Sequence, residues 1–470
     1  MPLPVLTLEQ MREWEQATWA SGQTEAEVIR RVGLAIARTA LRLTRPSDLI
    51  LILAGKGHNG DDARCAKEHL SERRVDVLEV GDPGADVPRL EALLSLRPSL
   101  VIDGLFGIGI NRPLSAGWHG LVDRINNAGL KVLAVDVPSG LDVASGRPQG
   151  VAIRAAVTLT VGAPKNGLLT SWAWEYVGRL EVAENVGLAP SVPQTELRWT
   201  LAPDFAGFPP ARMVAGHKGT YGHLGIISGS LGFHGAAVLT ARGAQRAQPG
   251  LITLHTLEAV YHVVASQLQA VMVAPWRADA RPGENRTGIL VGPGLAGPDV
   301  PEQLKMVVPE LWRRFPGPMI VDASALAWVP PERKDAPGIR VITPHPGEAA
   351  RMLGTETGQI QSDRVQSVRT LSERFSNCWV ILKGHQTLIG KAAGPVYVNC
   401  SGNPFLAQGG SGDVLSGYLA GLIAQPPLQA NPLSTLRYGV WQHGVTADLL
   451  EQNQPNWVIE DLVSHLGASR

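Results

Sequence analysis

The sequence predicts an α/β protein built as two doubly wound units in series, expected at residues 1–195 and 205–470. Three observations carry this. Short, wholly apolar runs alternate with helical patterns, the rhythm of strands feeding helices. The rhythm lapses over a proline-rich stretch, "GLAPSVPQTELRWTLAPDFAGFPPAR" (187–212), and then restarts. The loops that follow several apolar runs are rich in glycine, as at strand ends where open α/β sheets bind ligands.

Taken in order, "DLILILAG" (48–55) reads as a buried strand and "ARCAKEHLSER" (63–73) as a helix. "VDVLEV" (75–80), "SLVIDGLFG" (99–107), "KVLAVDVPSG" (131–140) and "VTLTVGAPK" (157–165) read as further strands. The second unit starts with the strand "HLGIISGS" (223–230) and the helix "AAVLTARGAQRA" (236–247). "GLITLHT", "QAVMVAPW", "TGILVGPG", "GPMIVDAS", "GIRVITPHPGE" and "CWVILKG" continue as strands. "DVLSGYLAGLIA" and "LRYGVWQHGVTADLLEQ" then give long helices. No short repeat or low-complexity tract interrupts the pattern.

Composition narrows the function. Of the 470 residues, 44% are hydrophobic and 18% charged, which suits a globular protein. Lys+Arg and Asp+Glu both number 42, so no global field draws nucleic acid or an anionic membrane. "MPLPVLTLEQMREWEQ" lacks the basic-then-apolar order of a signal peptide, and no apolar run is long enough to span a bilayer. The three cysteines are scattered, so neither a disulfide scaffold nor a zinc site is expected. The expected location is the cytoplasm, and the expected assembly a homo-oligomer.

In the second unit "QGGSGD" (408–413) precedes an apolar helix. Glycines let backbone N–H groups approach an anion, and the helix adds its positive end. The Gly-Lys-Ser/Thr ending of a Walker loop is missing. An acid beside a phosphate is unfavourable unless it has a task, and Asp413 fits as the base for a hydroxyl that receives the phosphoryl group. Taken alone, Asp413 also reads as a helix N-cap. "KGHQT" (383–387) reads either as a nucleotide-holding loop, through Lys383 and Thr387, or as a hairpin turn. His345, between two prolines in "TPHPGE", reads as a substrate wall or as a structural residue.

These motifs, with "HKGTYGHLGIISGSLGFHGAAVLTARGAQRAQPGLITL", "VGPGL", "ITPHPGEAARMLG" and "GNPFLAQGGSGDVLSGYLAGLIAQ", resemble the ADP- or ATP-dependent NAD(P)H-hydrate dehydratases over about residues 210–470. The resemblance implies a ribokinase-like fold and nucleotide-driven removal of water from C6 of a hydrated nicotinamide. The 6-hydroxyl is phosphorylated and phosphate then leaves. It implies ADP or ATP with Mg2+ as cofactors and NADHX and NADPHX, the two hydrates, as substrates. Carried over by position, Ala236, Gly294, His345 and Asp413 line the hydrate site. Lys383, Gly384, His385, Gln386, Thr387 and Gly412 hold the nucleotide. "VDASALA" (321–327) departs from the family's pattern, with Ser324 and Ala327 in place of polar partners. The nest alone also permits a ribokinase-type small-molecule kinase with a non-catalytic N-terminal module.

In the first unit "LAGKGHNGDDA" (53–63), "DGLFGIGINRP" (103–113) and "VDVPSG" (135–140) each follow a strand. Asn59, Asp103 and Ser139 lie at strand ends, where three oxygen-bearing side chains suit a hard cation or a substrate. Each alone also reads as a turn or cap residue. With "GAPKNGLL" (162–169) these motifs resemble the NAD(P)H-hydrate epimerase domain over about residues 8–190. That resemblance implies a Rossmann-like unit that interconverts the R and S hydrates. His58, Asn59, Gly60, Asp61 and Asp62 would hold the hydrate together with Gly107, Ile108, Gly109, Ile110, Asn111, Arg112 and Pro113. Asp136 would bind substrate and move a proton, and Asn59, Asp103 and Ser139 would bind K+. The family's Asn-Asn-Gly-Gly-Asp-Gly loop is here His58-Asn59-Gly60-Asp61-Asp62-Ala63. Asp61 is therefore expected to repel the substrate's pyrophosphate and to crowd a position where glycine allowed close approach.

Overall fold

The computed structural model describes residues 2–110, 112–190 and 193–468. They fall into two compact units, one of residues 3–195 and one from residue 196 onward.

The first unit opens with α1 (Leu8–Ala20) and α2 (Glu25–Leu43), neither marked by the strand–helix rhythm of the sequence. Both have polar starts. Thr7 accepts from the Gln10 N–H while Gln10 returns a bond to the Thr7 N–H, and Thr24 accepts from the Glu27 N–H. The strands follow: β1 (Leu49–Ala54), β2 (Arg74–Glu79), β3 (Leu100–Gly104), β4 (Val132–Val135), β5 (Val157–Val161) and β6 (Arg179–Ala183). All pair in parallel, in the order β2-β1-β3-β4-β5-β6. "LILILA" is continuously apolar because parallel strands are covered on both faces. Ile50 and Ile52 pack with Val32 and Ile36 of α2, while Leu51 and Leu53 pack with Leu90 and Leu121 on the other face.

One element begins earlier than expected. α3 runs from His58 to Ala66, followed by a 3-10 turn at Lys67–His69. The residues read as a loop are thus the helix's first turn. A Cβ on Gly60 would lie 2.1 Å from the Gly55 carbonyl oxygen, so glycine is what lets the helix start hard against the strand end. The 3-10 turn buries Leu70 and returns the chain to β2.

The second unit begins inside the stretch that looked irregular. β7 (Leu197–Trp199) joins its sheet, and Asp204 holds Arg437 at 2.5 Å. The other strands are β8 (His223–Ile227), β9 (Leu251–Thr256), β10 (Met272–Pro275), β11 (Gly288–Val291), β12 (Met319–Val321), β13 (Arg340–Ile342), β14 (Trp379–Leu382), β15 (Leu388–Gly390) and β16 (Val396–Val398). Their order is β7-β16-β15-β14-β13-β12-β11-β8-β9-β10, parallel from β14 to β10. β15 turns antiparallel to β14.

The helices that matter for the site are α4 (His234–Arg246), α5 (Pro346–Leu353), α6 (Arg364–Arg374), α7 (Ser411–Ile423) and α8 (Pro432–Asn453). α7 is buried from Val414 to Ile423, which explains its all-round apolar sequence. It packs backbone to backbone against α4. A Cβ on Gly417 would stand 2.0 Å from the Thr240 carbonyl oxygen.

Candidate active sites

In the second unit the predicted residues lie at the C-terminal ends of the parallel strands, where such sheets bind ligands. After β8, Ser228 Oγ donates to the Pro293 carbonyl and Ser230 Oγ to the Gly294 carbonyl, both at 2.6 Å. This stitches the "SGS" loop to the "GPG" loop. A Cβ on Gly294 would stand 2.7 Å from Ala236 Cβ, so these two predicted residues touch. Gly292 lies directly against the backbone of Asp322 at the end of β12.

Asp322 leads to the centre of the site. Its Oδ1 accepts from Lys383 Nζ at 2.8 Å. Lys383 Nζ is 4.0 Å from Glu348 and 3.4 Å from where a Cβ of Gly412 would be. Asp322 is buried and its pairing with Lys383 is charge-assisted. Asp413 stands one residue past Gly412. Its pKa is pushed up to about 7, first by burial and then by Asp322, with Lys383 pulling the other way.

The geometry bears on two alternatives left open by the sequence. The N-cap of α7 is Gly410, in the left-handed region at φ +94°, so Asp413 lies inside the first turn and does not cap the helix. His345 does cap its helix: Nδ1 accepts from the Gly347 N–H at 3.1 Å, and Glu348 closes the box on the His345 N–H at 2.8 Å. Burial lowers the His345 pKa, in keeping with an Nδ1 that accepts.

Residues 383–387 form the turn between β14 and β15. Gly384 and Gln386 take positive φ there. Thr387 Oγ1 donates back to the Gly384 carbonyl at 3.0 Å, and Arg364 of α6 binds the carbonyls of Leu382, Lys383 and His385. The hairpin reading and the ligand reading are compatible, because the turn is braced from behind and delivers Lys383 to the nest. Asp322, Glu348, Arg364 and His443 are partners that no motif in the chain marks. His443 is buried, with Nε2 3.2 Å from the Ser411 carbonyl oxygen.

The first unit gathers a second site. Ser139 donates its N–H to Asp103 Oδ2 at 2.8 Å and its hydroxyl to Oδ1 at 2.6 Å. The Phe106 N–H donates to Ser139 Oγ, and Asn59 Nδ2 donates to the Phe106 carbonyl, both at 2.9 Å. Asn59, Asp103 and Ser139 thus form one network, and Gly107 lies against Asn59. Burial pushes the Asp103 carboxyl up to about 6 against these hydrogen bonds. Among the described residues no ammonium or guanidinium pairs with it.

Asp136 holds the unusual φ of +63°. Its Oδ1 accepts from Lys165 Nζ at 2.5 Å, from the Val161 N–H at 2.9 Å and from Thr160 Oγ1 at 3.2 Å. Lys165 is wholly buried and also donates to Thr160 Oγ1 and the Val161 carbonyl. It sits in "GAPKNGLL" (162–169), where the motif alone does not reveal its role. Ile108 packs with Met11, Trp14 and Ala163, which draws the "GIGINRP" loop toward α1.

Some predicted residues stand apart. His58 is exposed, 3.6 Å from Glu25, and Arg112 and Pro113 are exposed. Asn111 lies outside the described residues. Asp61 has an ordinary helical backbone, so no positive φ calls for glycine at its position. Its carboxylate is bound by Arg64 Nη1 at 2.7 Å, and Arg64 also reaches Glu79 and the Gly55 carbonyl.

Comparison with known proteins agrees with both halves. The family model described as NAD(P)H-hydrate dehydratase matches residues 224–466, and the YjeF-related protein N-terminus matches residues 80–167. The chain is 34% identical to a bifunctional NAD(P)H-hydrate repair enzyme of Coxiella burnetii, over 97% of each chain. A protein of the same description from Escherichia coli K12 is 30% identical, over 96% of this chain and 90% of its own. Among solved structures, a ribokinase-like superfamily protein from Enterococcus faecalis V583 superposes with a TM-score of 0.52 at 22% identity, over 60% of this chain and 97% of its own, and supports the fold. Among the described residues no helix is long and apolar enough to cross a membrane.

Proposed function

Because the chain belongs to the family of bifunctional NAD(P)H-hydrate repair enzymes, pairing a dehydratase with an epimerase, we propose that its two strand-end sites are the seats of those two activities. The kinase reading does not account for the dehydratase match over residues 224–466.

In the second unit Asp413 is the base that takes the proton of the 6-hydroxyl, and ADP or ATP supplies the phosphoryl group. The observation that carries this is the placement of Lys383 between Asp322 and the glycine nest, beside Asp413. The ammonium suits the phosphate chain, and the 383–387 turn and Gly412 hold the nucleotide. Mg2+ would enter on the phosphates, since no three His, Cys, Asp or Glu side chains among the described residues are grouped to hold a metal ion. Ala236, Gly294 and His345 form the hydrate's side of the site. A carboxyl poised near neutrality is suited to accepting a proton at neutral pH.

In the first unit Asp136, bound by the Lys165 ammonium, is the proton-transfer group. Asp103, Ser139 and Asn59 would hold K+. They fit it, because a buried carboxylate with no cationic partner stands among hydroxyl, amide and carbonyl oxygens. The ion would supply the missing charge and fix the "GIGINRP" loop through Phe106. A cytoplasmic location and a homo-oligomeric assembly complete the proposal.

The test is turnover of the S hydrate with ADP or ATP by wild type and Asp413→Asn, with nucleotide affinity measured by calorimetry. Lost turnover with kept affinity supports the assignment. Wild-type turnover in the variant would remove Asp413 from the mechanism.

A further inference from the structure

Among the residues expected to hold the hydrate in the first unit, one acid has no part yet in the proton chemistry. Asp62, in the first turn of α3, is buried beside Asp136, and Glu15 of α1 lies in the same electrostatic neighbourhood. The two aspartates are treated in opposite ways. Asp136 receives an ammonium, an amide N–H and a hydroxyl. Among the described residues, Asp62 receives no hydrogen bond and no cation. Four titratable groups act on it, all anionic when charged: Asp136 from the end of β4, Glu15 from α1, and Asp61 and Cys65 on its own helix. Arg64, the nearest guanidinium on α3, is spent on Asp61, Glu79 and the Gly55 carbonyl. Lys165 is spent on Asp136, Thr160 and the Val161 carbonyl. His58 turns outward toward Glu25.

A buried carboxylate with no donor and only acids around it is held as the neutral acid. Two neighbouring carboxyl groups, one met by an ammonium, an amide N–H and a hydroxyl and the other met by no donor, make an acid–base pair. We propose that Asp62 is the proton donor of the epimerisation, working opposite Asp136 as acceptor. The proposal rests on the assignment of this pocket to the epimerase.

The step balances without any co-reactant. C6 of the hydrate carries both the hydroxyl and the ring nitrogen, so it is a cyclic hemiaminal. Asp136 takes the hydroxyl proton and the O–H pair forms a C6=O bond. The C6–N1 bond breaks, its electron pair goes to N1, and N1 takes the proton of Asp62. Rotation about C5–C6 turns the carbonyl's other face to N1. Ring closure then reverses both transfers: N1 returns its proton to Asp62, and the oxygen regains one from Asp136. Nothing is oxidised or reduced. Burial, reinforced by Asp136, Asp61 and Glu15, pushes Asp62 up to about 8, so it keeps its proton at neutral pH.

The test follows R-to-S conversion in the full-length chain without nucleotide, by chromatographic separation of the epimers across pH. Wild-type kcat is expected to fall on the alkaline side with a midpoint near 8. Asp62→Asn, nearly the same shape as the neutral acid, should keep KM within about threefold, lose roughly 10²–10⁴ in kcat and lose the alkaline limb. Asp62→Glu should recover part of the rate. An Asp62→Asn enzyme with near-wild-type kcat and an intact alkaline limb would overturn the proposal and leave the site assignment standing. So would a wild-type profile flat through pH 8, which needs no variant to fold. Wild type no faster than the spontaneous reaction would overturn the site assignment itself, and this proposal with it.

Discussion

Lys383 Nζ and Asp322 Oδ1 meet at 2.8 Å, though 61 residues apart in sequence, and the ammonium overhangs Gly412 at the start of α7. The pair acts on Asp413 in opposite directions. Asp322 raises its pKa and Lys383 lowers it, while burial, the largest cause, raises it to about 7.

This sets the pH dependence of dehydration. Asp413 works ionised, so the rate at saturating nucleotide climbs as pH rises through its pKa. Lys383→Met removes the lowering influence and should move the midpoint to higher pH. Asp322→Asn removes a raising influence and should move it to lower pH. Rate profiles of both variants check the signs. Shifts in the same direction would contradict the arrangement.

Asp413→Asn should lower kcat by roughly 10²–10⁴ while ADP and ATP bind as before. Gly412→Val should do the reverse. A side chain there meets Lys383 at the nest and keeps phosphate from the backbone N–H groups. Calorimetric affinities separate the two. Unchanged nucleotide affinity in Gly412→Val would move the nucleotide elsewhere.

Asp61→Gly should leave KM for the R hydrate within about twofold of wild type, since Arg64 already partners the carboxylate on the open side of α3. Initial rates at several substrate concentrations decide it. A clear fall in KM would restore the repulsion that the sequence alone suggests.

Asp61 shows where reading the sequence stops. Its charge and its place in the motif are visible in the chain, but its partner Arg64 matters only once residues 58–66 are known to be helical. "LILILA" was legible as a doubly covered strand because burial on both faces writes itself as an unbroken apolar run. The glycine nest and Asp413 were legible for a similar reason, since close backbone approach permits few residue types. The task of Lys165 is not legible in its motif, because it depends on Asp136, 29 residues away in the chain. Glu15 and Asp322 were missed in the same way. Each acts through neighbours that only the folded chain supplies. β7 escaped notice because three residues in a proline-rich stretch carry too little periodicity.

Potassium should raise the Tm of the first unit's transition in wild type and do so much less in Asp103→Asn, because binding to the folded state alone stabilises by mass action. Calorimetric scans in potassium against a bulky organic cation at equal ionic strength test this. An equal response in both proteins would place the ion away from Asp103.

The central claim is that one chain carries both repair activities. The direct measurement is the time course of reduced nicotinamide recovered from a mixture of R and S hydrates, with excess ADP or ATP. The predicted course is continuous conversion of the whole mixture, with the R fraction consumed faster than it epimerises spontaneously. A stable phosphorylated product, or conversion that stalls once the S hydrate is gone, would contradict it.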